Sequence, residues 1–154
     1  MGDKRVSIIL EVLAAMFLIL SFYPIMRYGS LAGIPIPQHY SKDGCVDIWT
    51  TRAAFIYLGL IFIAVYAFLS FCQSHPKFVN VPFSGKMPEQ DRASLGTAIA
   101  GWIKLWCTAL FAYLSISTYR IALGKTGYLN NTIMCIIALC AIIHLALILF
   151  FRKD

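Results

Sequence analysis

The stretch TIMCIIALCAIIHLALILFF, residues 132–151, decides the fold, because it contains no Asp, Glu, Lys or Arg. A helix of about 20 mostly apolar residues crosses the hydrocarbon core of a bilayer, which is about 30 Å thick. Backbone amides find no water in lipid, so such a stretch satisfies its hydrogen bonds internally as a helix. Residues 132–151 therefore predict a membrane-spanning helix.

Three earlier stretches are also long and apolar, although the first contains Glu11 and the third contains Lys104, and we expect four helices at about residues 6–26, 53–72, 94–120 and 132–151. Across all 154 residues the chain is 60% hydrophobic and 13% charged, whereas about a quarter of the residues in a soluble domain are charged. This composition excludes a disordered chain, a collagen-like repeat and an ordinary soluble enzyme. The apolar stretches show no alternating polarity, which a spanning β-barrel requires.

Four crossings place both termini on one side of a membrane. That side carries the larger share of the basic residues, namely Lys4, Arg5, Lys77, Lys86, Arg92, Arg152 and Lys153. Basic residues concentrate in cytoplasmic segments, so we expect cytoplasmic termini. The sequence thus predicts an all-α fold: one domain over residues 1–154, a four-helix transmembrane bundle with a structured outer loop at 27–52 and an inner loop at 73–93.

The outer loop contains IPIPQHYSKDGCVDIW, residues 34–49, which we interpret as a binding loop. Its prolines favour an extended path, and Asp43-Gly44 predicts a tight turn that brings Asp47 back towards His39. A carboxylate beside an imidazole stabilises the charged ring and fixes its orientation. The candidate binding residues are His39, Tyr40, Asp43, Gly44, Asp47 and Trp49. The alternative is that they only pin the loop over the helices.

A second candidate site lies inside the expected helices. Glu11, Lys104 and His144 are each roughly 9 to 12 Å from the same face of the membrane, at 1.5 Å per helical residue. A charge in hydrocarbon costs several kcal/mol unless it is paired or hydrated. We therefore expect Glu11 and Lys104 to approach each other, with His144 nearby. The cluster is either a proton-responsive or ligand-binding site, or an ion pair that fixes the helix arrangement.

Signatures of catalysis are weak in this sequence. Residues 124–126, Gly-Lys-Thr, match the end of a phosphate-binding loop, but the glycine that this motif requires five residues earlier is Tyr119. We find no nucleophile–base pair and no metal-ligand spacing, and so predict no catalytic residue, metal or cofactor. The net charge of +6 is typical of basic residues flanking membrane helices and does not indicate nucleic acid as a partner.

The outer loop also carries a family resemblance. The pattern Pro-x-Pro-x-His-Tyr, followed by Gly-x-x-Asp-x-Trp, spans residues 35–49. It resembles the bacterial domain of unknown function found at the N-terminus of Sdp-type immunity proteins. The segments PKFVNVP at 76–82 and WIKL at 102–105 are similar to further parts of that domain. The resemblance implies a protein of the bacterial cytoplasmic (inner) membrane.

Longer members of that family include an immunity protein that protects its producer from a secreted toxin and sequesters a transcriptional repressor. Compact members have no assigned activity, so the resemblance assigns no residue a role. The leading hypothesis is a non-enzymatic, immunity-like module that recognises an extracytoplasmic peptide, protein or lipid. In this hypothesis the inner-loop residues Lys77, Lys86 and Arg92 contact a cytoplasmic partner.

Two other classes remain open. The chain is either a structural subunit or chaperone of a larger membrane complex, or a small transporter or enzyme that uses Glu11, Lys104 and His144. Membrane lipids are expected partners in every case. The two tryptophans of the third helix, Trp102 and Trp106, share a face that meets either lipid or a second copy of the chain in a homo-oligomer.

Overall fold

The computed structural model describes residues 4–82, 85 and 87–151, and the chain is mostly helical, as expected. The elements are α1 (Lys4–Ser21), α2 (Tyr23–Met26), β1 (Ile36–Tyr40), β2 (Val46–Thr50), α3 (Ala53–Ser74), α4 (Glu89–Ala122) and α5 (Asn131–Phe151). Short 3₁₀ turns lie at Tyr28–Leu31 and Pro76–Phe78. The strands β1 and β2 pair as an antiparallel hairpin, which gives the expected outer loop a small sheet.

Within the described residues, three helices are long and apolar enough to cross a membrane: α3, α4 and α5. The first apolar helix is shorter and covers Val6–Ser21, because the stretch predicted at 6–26 is divided after Ser21. Pro24 follows at the start of α2. Proline has no N–H, and its ring clashes with the carbonyl group four residues earlier, so α1 cannot continue through it.

The division of this stretch creates a contact with α4. The carbonyl of Ser21 is no longer needed by a continuing helix, and it accepts a hydrogen bond of 2.6 Å from the Ser115 hydroxyl. Both residues are buried. A buried carbonyl without a donor is costly, so α4 provides the hydrogen bond that the interrupted helix lacks.

Helix α4 is the central element, since α1, α3 and α5 all pack against it. Its 34 residues extend for about 51 Å at 1.5 Å per residue. The helix begins at Glu89, five residues before the apolar stretch at 94–120, and Glu89 and Asp91 fall in its first turn. Acidic side chains are favourable there, next to the positive end of the helix dipole.

The direction of each helix follows from its contacts with α4. Helix α1 runs parallel to α4, since Glu11 meets Lys104 and Ser21 meets Ser115. Helices α3 and α5 run antiparallel to it. The described chain therefore begins and ends near the start of α4. We call this end of the molecule the turn end, because the 3₁₀ turn at Pro76–Phe78 also lies there. The hairpin lies at the other end of α4, which we call the hairpin end.

The basic residues used to infer orientation are only partly described. Both Lys77 and Arg92 lie at the turn end. Lys77 is part of the 3₁₀ turn at Pro76–Phe78, and Arg92 lies beside that turn. Lys86, Arg152 and Lys153 lie outside the described residues, as do the side chains of Lys4 and Arg5.

Candidate functional site

The hairpin forms around the turn that Asp43-Gly44 predicted. Ser41 N–H donates to the Cys45 carbonyl at 2.8 Å, and Gly44 N–H donates to the Ser41 carbonyl at 2.9 Å. The turn returns Asp47 to His39, whose Nδ1 lies 2.7 Å from Oδ1 and 3.0 Å from Oδ2 of that carboxylate. The predicted approach of His39 and Asp47 is confirmed, and both side chains are exposed.

The tip of the hairpin is fixed to the connection between α4 and α5. Leu129 N–H donates to the Gly44 carbonyl at 2.8 Å, and the Asn131 side chain donates to the Lys42 carbonyl at 2.7 Å. Gly44 has a φ of 80°, and a Cβ there would overlap the Leu129 carbonyl oxygen. Only glycine combines a positive φ with the absence of a Cβ, so Gly44 allows the turn to lie against Leu129. Gly44 is buried at this contact.

Tyr40 faces the helices and does not join His39 on the exposed surface. Its hydroxyl lies 2.8 Å from Thr118 Oγ1 of α4. Burial raises the pKa of the Tyr40 phenol, and the hydrogen bond with Thr118 offsets part of that rise. At the base of the same strand, the fully buried Ile36 packs with Leu31, Phe55 and Tyr119. Tyr40 and Ile36 therefore anchor β1 to α4.

The remaining candidates of the loop lie on its open surface. Asp43 is exposed in the turn, and Trp49 is 49% exposed on β2, opposite Pro37. The neighbouring Ile48, which sequence reasoning did not single out, is 52% exposed. The loop thus divides into two anchoring residues, Tyr40 and Gly44, and an exposed set: His39, Asp43, Asp47, Ile48 and Trp49.

The second candidate site joins three helices. Lys104 of α4 is 1% exposed, and its Nζ lies 2.5 Å from Glu11 Oε2 of α1. It also donates to the Ser70 hydroxyl of α3 at 3.2 Å. The Tyr66 hydroxyl, also on α3, donates to Glu11 Oε1 at 2.8 Å. The predicted approach of Glu11 and Lys104 is confirmed, and we call these four residues the three-helix cluster.

His144, expected nearby, makes its described contacts with other residues. Its Nδ1 donates to the Cys140 carbonyl at 3.0 Å, and its ring stacks on Trp102 with centroids 4.6 Å apart. In the part of the chain that the structure describes, no hydrogen bond or ion pair joins His144 to Glu11 or Lys104. The indole of Trp102 packs in turn against the core around Leu10 and Leu105, so His144 belongs to the α4–α5 contact.

Sequence reasoning missed Tyr66 and Ser70, although a signal was present. The two residues are four positions apart in α3 and so share a face of that helix. Hydroxyl groups are common in membrane helices and do not stand out as charges do. Only their position opposite Lys104 reveals their role as hydrogen-bond partners of the ion pair.

The described residues also line two cavities. An apolar cleft of about 230 Å³ lies between α4 and α5, lined in part by Trp106, Leu110 and Ile137. A groove of about 700 Å³ lies at the turn end, between the 3₁₀ turn and the first turns of α4. Within the described ranges, no three or more His, Cys, Asp or Glu side chains converge as metal ligands.

Comparison with known proteins gave no relative. No family model, curated protein or solved structure matches this chain. The resemblance to the domain of Sdp-type immunity proteins therefore stays a prediction from the motifs at residues 35–49, 76–82 and 102–105.

Proposed function

We propose that this chain is an integral protein of the bacterial inner membrane. Helices α1, α3, α4 and α5 would cross the bilayer as a bundle, with the termini in the cytoplasm and the hairpin outside. Three helices of sufficient length and apolarity support the insertion. The large share of exposed Ile, Leu and Phe on α3 and α5 fits a surface solvated by lipid.

The function we propose is recognition of an extracytoplasmic peptide by the hairpin. The observation that carries this proposal is the outer edge of β2: β1 packs against α4 and pairs with β2, and among the described residues the outer edge meets other backbone only beside its start, where Cys45 bridges Tyr128. Soluble proteins usually cover or charge an edge strand, because its unpaired backbone groups attract other chains. Here the edge presents exposed Ile48 and Trp49, and an extended peptide can add to it as a third strand.

The hairpin is suited to this role because it is ordered before any ligand arrives. An isolated two-stranded hairpin is only marginally stable in water. This one is held by the backbone pairing of Gly44 with Leu129, by the hydrogen bond between Tyr40 and Thr118, and by buried Ile36. A strand held in its bound conformation loses less conformational entropy when the ligand binds. The exposed pair of His39 and Asp47 supplies polar contacts beside the apolar ones.

Selection from a displayed library of random peptides, with the protein in lipid nanodiscs as bait, tests this proposal. Recovered peptides are expected to bind the wild type and to lose at least about tenfold in affinity on W49S or I48E, since central apolar anchors dominate small interfaces. Met26→Ser is the matched control, because Met26 is 77% exposed and lies outside the hairpin. Peptides that bind all variants equally, or a library that yields none, would refute recognition by this strand.

A second candidate, transport of protons or of a small ion, is favoured by one observation. Glu11 is paired with buried Lys104, yet its side chain is 43% exposed, so the helices do not enclose the pair completely. Proteoliposomes loaded with a pH-sensitive dye test this alternative. Proton flux that depends on the wild-type protein and is abolished in E11Q would favour transport over peptide recognition.

A further inference from the structure

The groove at the turn end is built by a close approach between the 3₁₀ turn and α4. Helix α3 ends at Ser74, and the turn at Pro76–Phe78 folds back onto Gly96. A Cβ at Gly96 would lie 3.3 Å from the Pro76 carbonyl oxygen and 3.4 Å from the Val79 Cβ, so only a glycine allows this contact without adjustment. The groove of about 700 Å³ lies between this turn and the first turns of α4.

The polar lining of this groove is mostly basic. His75, Lys77 and Arg92 line it, and Glu89 is the acidic residue among its described lining residues. His75 donates from Nδ1 to the Phe71 carbonyl at 3.1 Å, which fixes its ring and leaves Nε2 pointing away from that bond. Arginine and lysine are the side chains that bind phosphate best, arginine through paired N–H groups and lysine as a point charge.

An apolar strip continues from the groove along α3. Phe78, which lines the groove, is 70% exposed, and Phe71 and Phe68 are 47% and 63% exposed. The ring centroids of Phe71 and Phe78 are 5.6 Å apart, and that of Phe71 is 4.3 Å from the His75 ring. Phe68 lies three residues before Phe71 and therefore shares its helix face. Basic groups and an exposed aromatic surface thus meet at one place.

We infer that this groove binds an anionic phospholipid of the cytoplasmic leaflet. Lys77 and Arg92 contact the phosphate, and the acyl chains lie along Phe78, Phe71 and Phe68. The inference rests on the proposed membrane insertion, which places the turn end of α4 among the cytoplasmic headgroups. Charge and shape both favour a lipid over free phosphate, because phosphate alone would leave the aromatic strip exposed. Each nearby Lys or Arg strengthens attraction to an anionic lipid surface.

Native mass spectrometry measures this preference directly. The protein is placed in nanodiscs of mixed phosphatidylcholine and phosphatidylglycerol, then transferred to mild detergent, and the retained lipids are identified. The wild type is expected to retain phosphatidylglycerol preferentially. K77Q and R92Q should each lower that preference about fivefold, the size expected for one basic residue at an anionic surface. F78S should weaken retention of both lipids, since it removes apolar contact with the acyl chains.

Lys125→Gln is the matched control, because Lys125 is an exposed cation at the hairpin end. Equal losses in K125Q and K77Q, or a wild type without preference, would overturn the inference. If sodium phosphate displaces the retained phosphatidylglycerol as effectively as added diacyl lipid does, the inference is also overturned, in favour of a free-phosphate site. Alkaline carbonate washing of membranes separates the two proposals. A chain released by the wash contradicts insertion itself, whereas a retained chain without lipid preference contradicts only the lipid site.

Discussion

The ammonium of Lys104 lies 2.5 Å from the carboxylate of Glu11, although the two residues are 93 positions apart in the sequence. Their surroundings differ: Lys104 is almost completely buried, whereas the Glu11 side chain is 43% exposed. Loss of one partner from a buried pair leaves the other charge uncompensated, which is far more damaging than loss of both. The difference in burial therefore predicts that the two single substitutions are not equivalent.

Glu11→Gln is expected to destabilise the fold by about 3 to 5 kcal/mol, because it leaves the buried Lys104 cation without a carboxylate. Lys104→Met should be milder, because the remaining Glu11 carboxylate still accepts a hydrogen bond from the Tyr66 hydroxyl, and E11Q/K104M should recover much of the loss. Thermal unfolding of the three variants in the same detergent, monitored by circular dichroism, ranks their stabilities. A double variant as unstable as E11Q would show that the pair itself, and not the stranded charge, stabilises the helices.

His144→Leu should act independently of the three-helix cluster, because the His144 ring packs on Trp102 and no described hydrogen bond links it to Lys104. The effects of H144L and K104M on the unfolding free energy are expected to add within about 0.5 kcal/mol, as for separate sites. The double variant H144L/K104M completes the double-mutant cycle that measures the coupling energy. A larger coupling energy would return His144 to the cluster that the sequence suggested.

Tyr40→Phe should destabilise the hairpin by about 1 kcal/mol, the net worth of a typical hydrogen bond, here the one with Thr118. The loss should also depend on pH. Because the pKa of Tyr40 is raised above its ordinary value of 10.0, the folded state favours the neutral phenol. The stabilisation of the folded state by the neutral phenol is complete below about pH 10 and is lost as the pH rises through the raised pKa of Tyr40.

Unfolding temperatures measured on either side of pH 10 test the sign of this effect. The wild type should lose more stability than Y40F over that range. Tyr57→Phe is the matched control for the substitution itself, because Tyr57 is 67% exposed on α3 and lies outside the hairpin. A wild type and a Y40F variant with the same alkaline profile would contradict the buried phenol.

Gly44→Ala should detach the hairpin from the α4–α5 connection. An alanine with φ near 80° is strained by about 1 to 2 kcal/mol, and its Cβ would also overlap the Leu129 carbonyl. Trypsin should then cleave after Lys42 or Lys125 faster than in the wild type. Gly127→Ala is the matched substitution in the same region, since a Cβ at Gly127 meets nothing within 4 Å. Equal cleavage of the two variants would rule out Gly44 as the point of attachment.

The sequence predicted the features that depend on local composition. Stretches with at most one or two charged residues located the long helices, Asp43-Gly44 located the tight turn between them, and the scarcity of charges within these stretches identified the partners Glu11 and Lys104. Each of these signals is carried by a few adjacent residues or by a rare residue type.

Apart from the pair of Glu11 and Lys104, features that depend on long-range contacts were not predicted. Pro24 is visible in the first apolar stretch, but hydrophobicity alone does not show that the helix ends at Ser21. The roles of Tyr66 and Ser70 depend on how α3 is rotated against α4. The position of the hairpin against the α4–α5 connection depends on a backbone contact between Gly44 and Leu129, which no side-chain pattern encodes.

Helix α4 is unbroken from Glu89 to Ala122 and contains no proline. It holds the hairpin through Thr118 and seats the 3₁₀ turn on Gly96. A displacement of the hairpin would therefore act on the opposite end of the molecule through one continuous helix. Under the proposed orientation, peptide binding at the hairpin would then be coupled through α4 to the groove at the turn end.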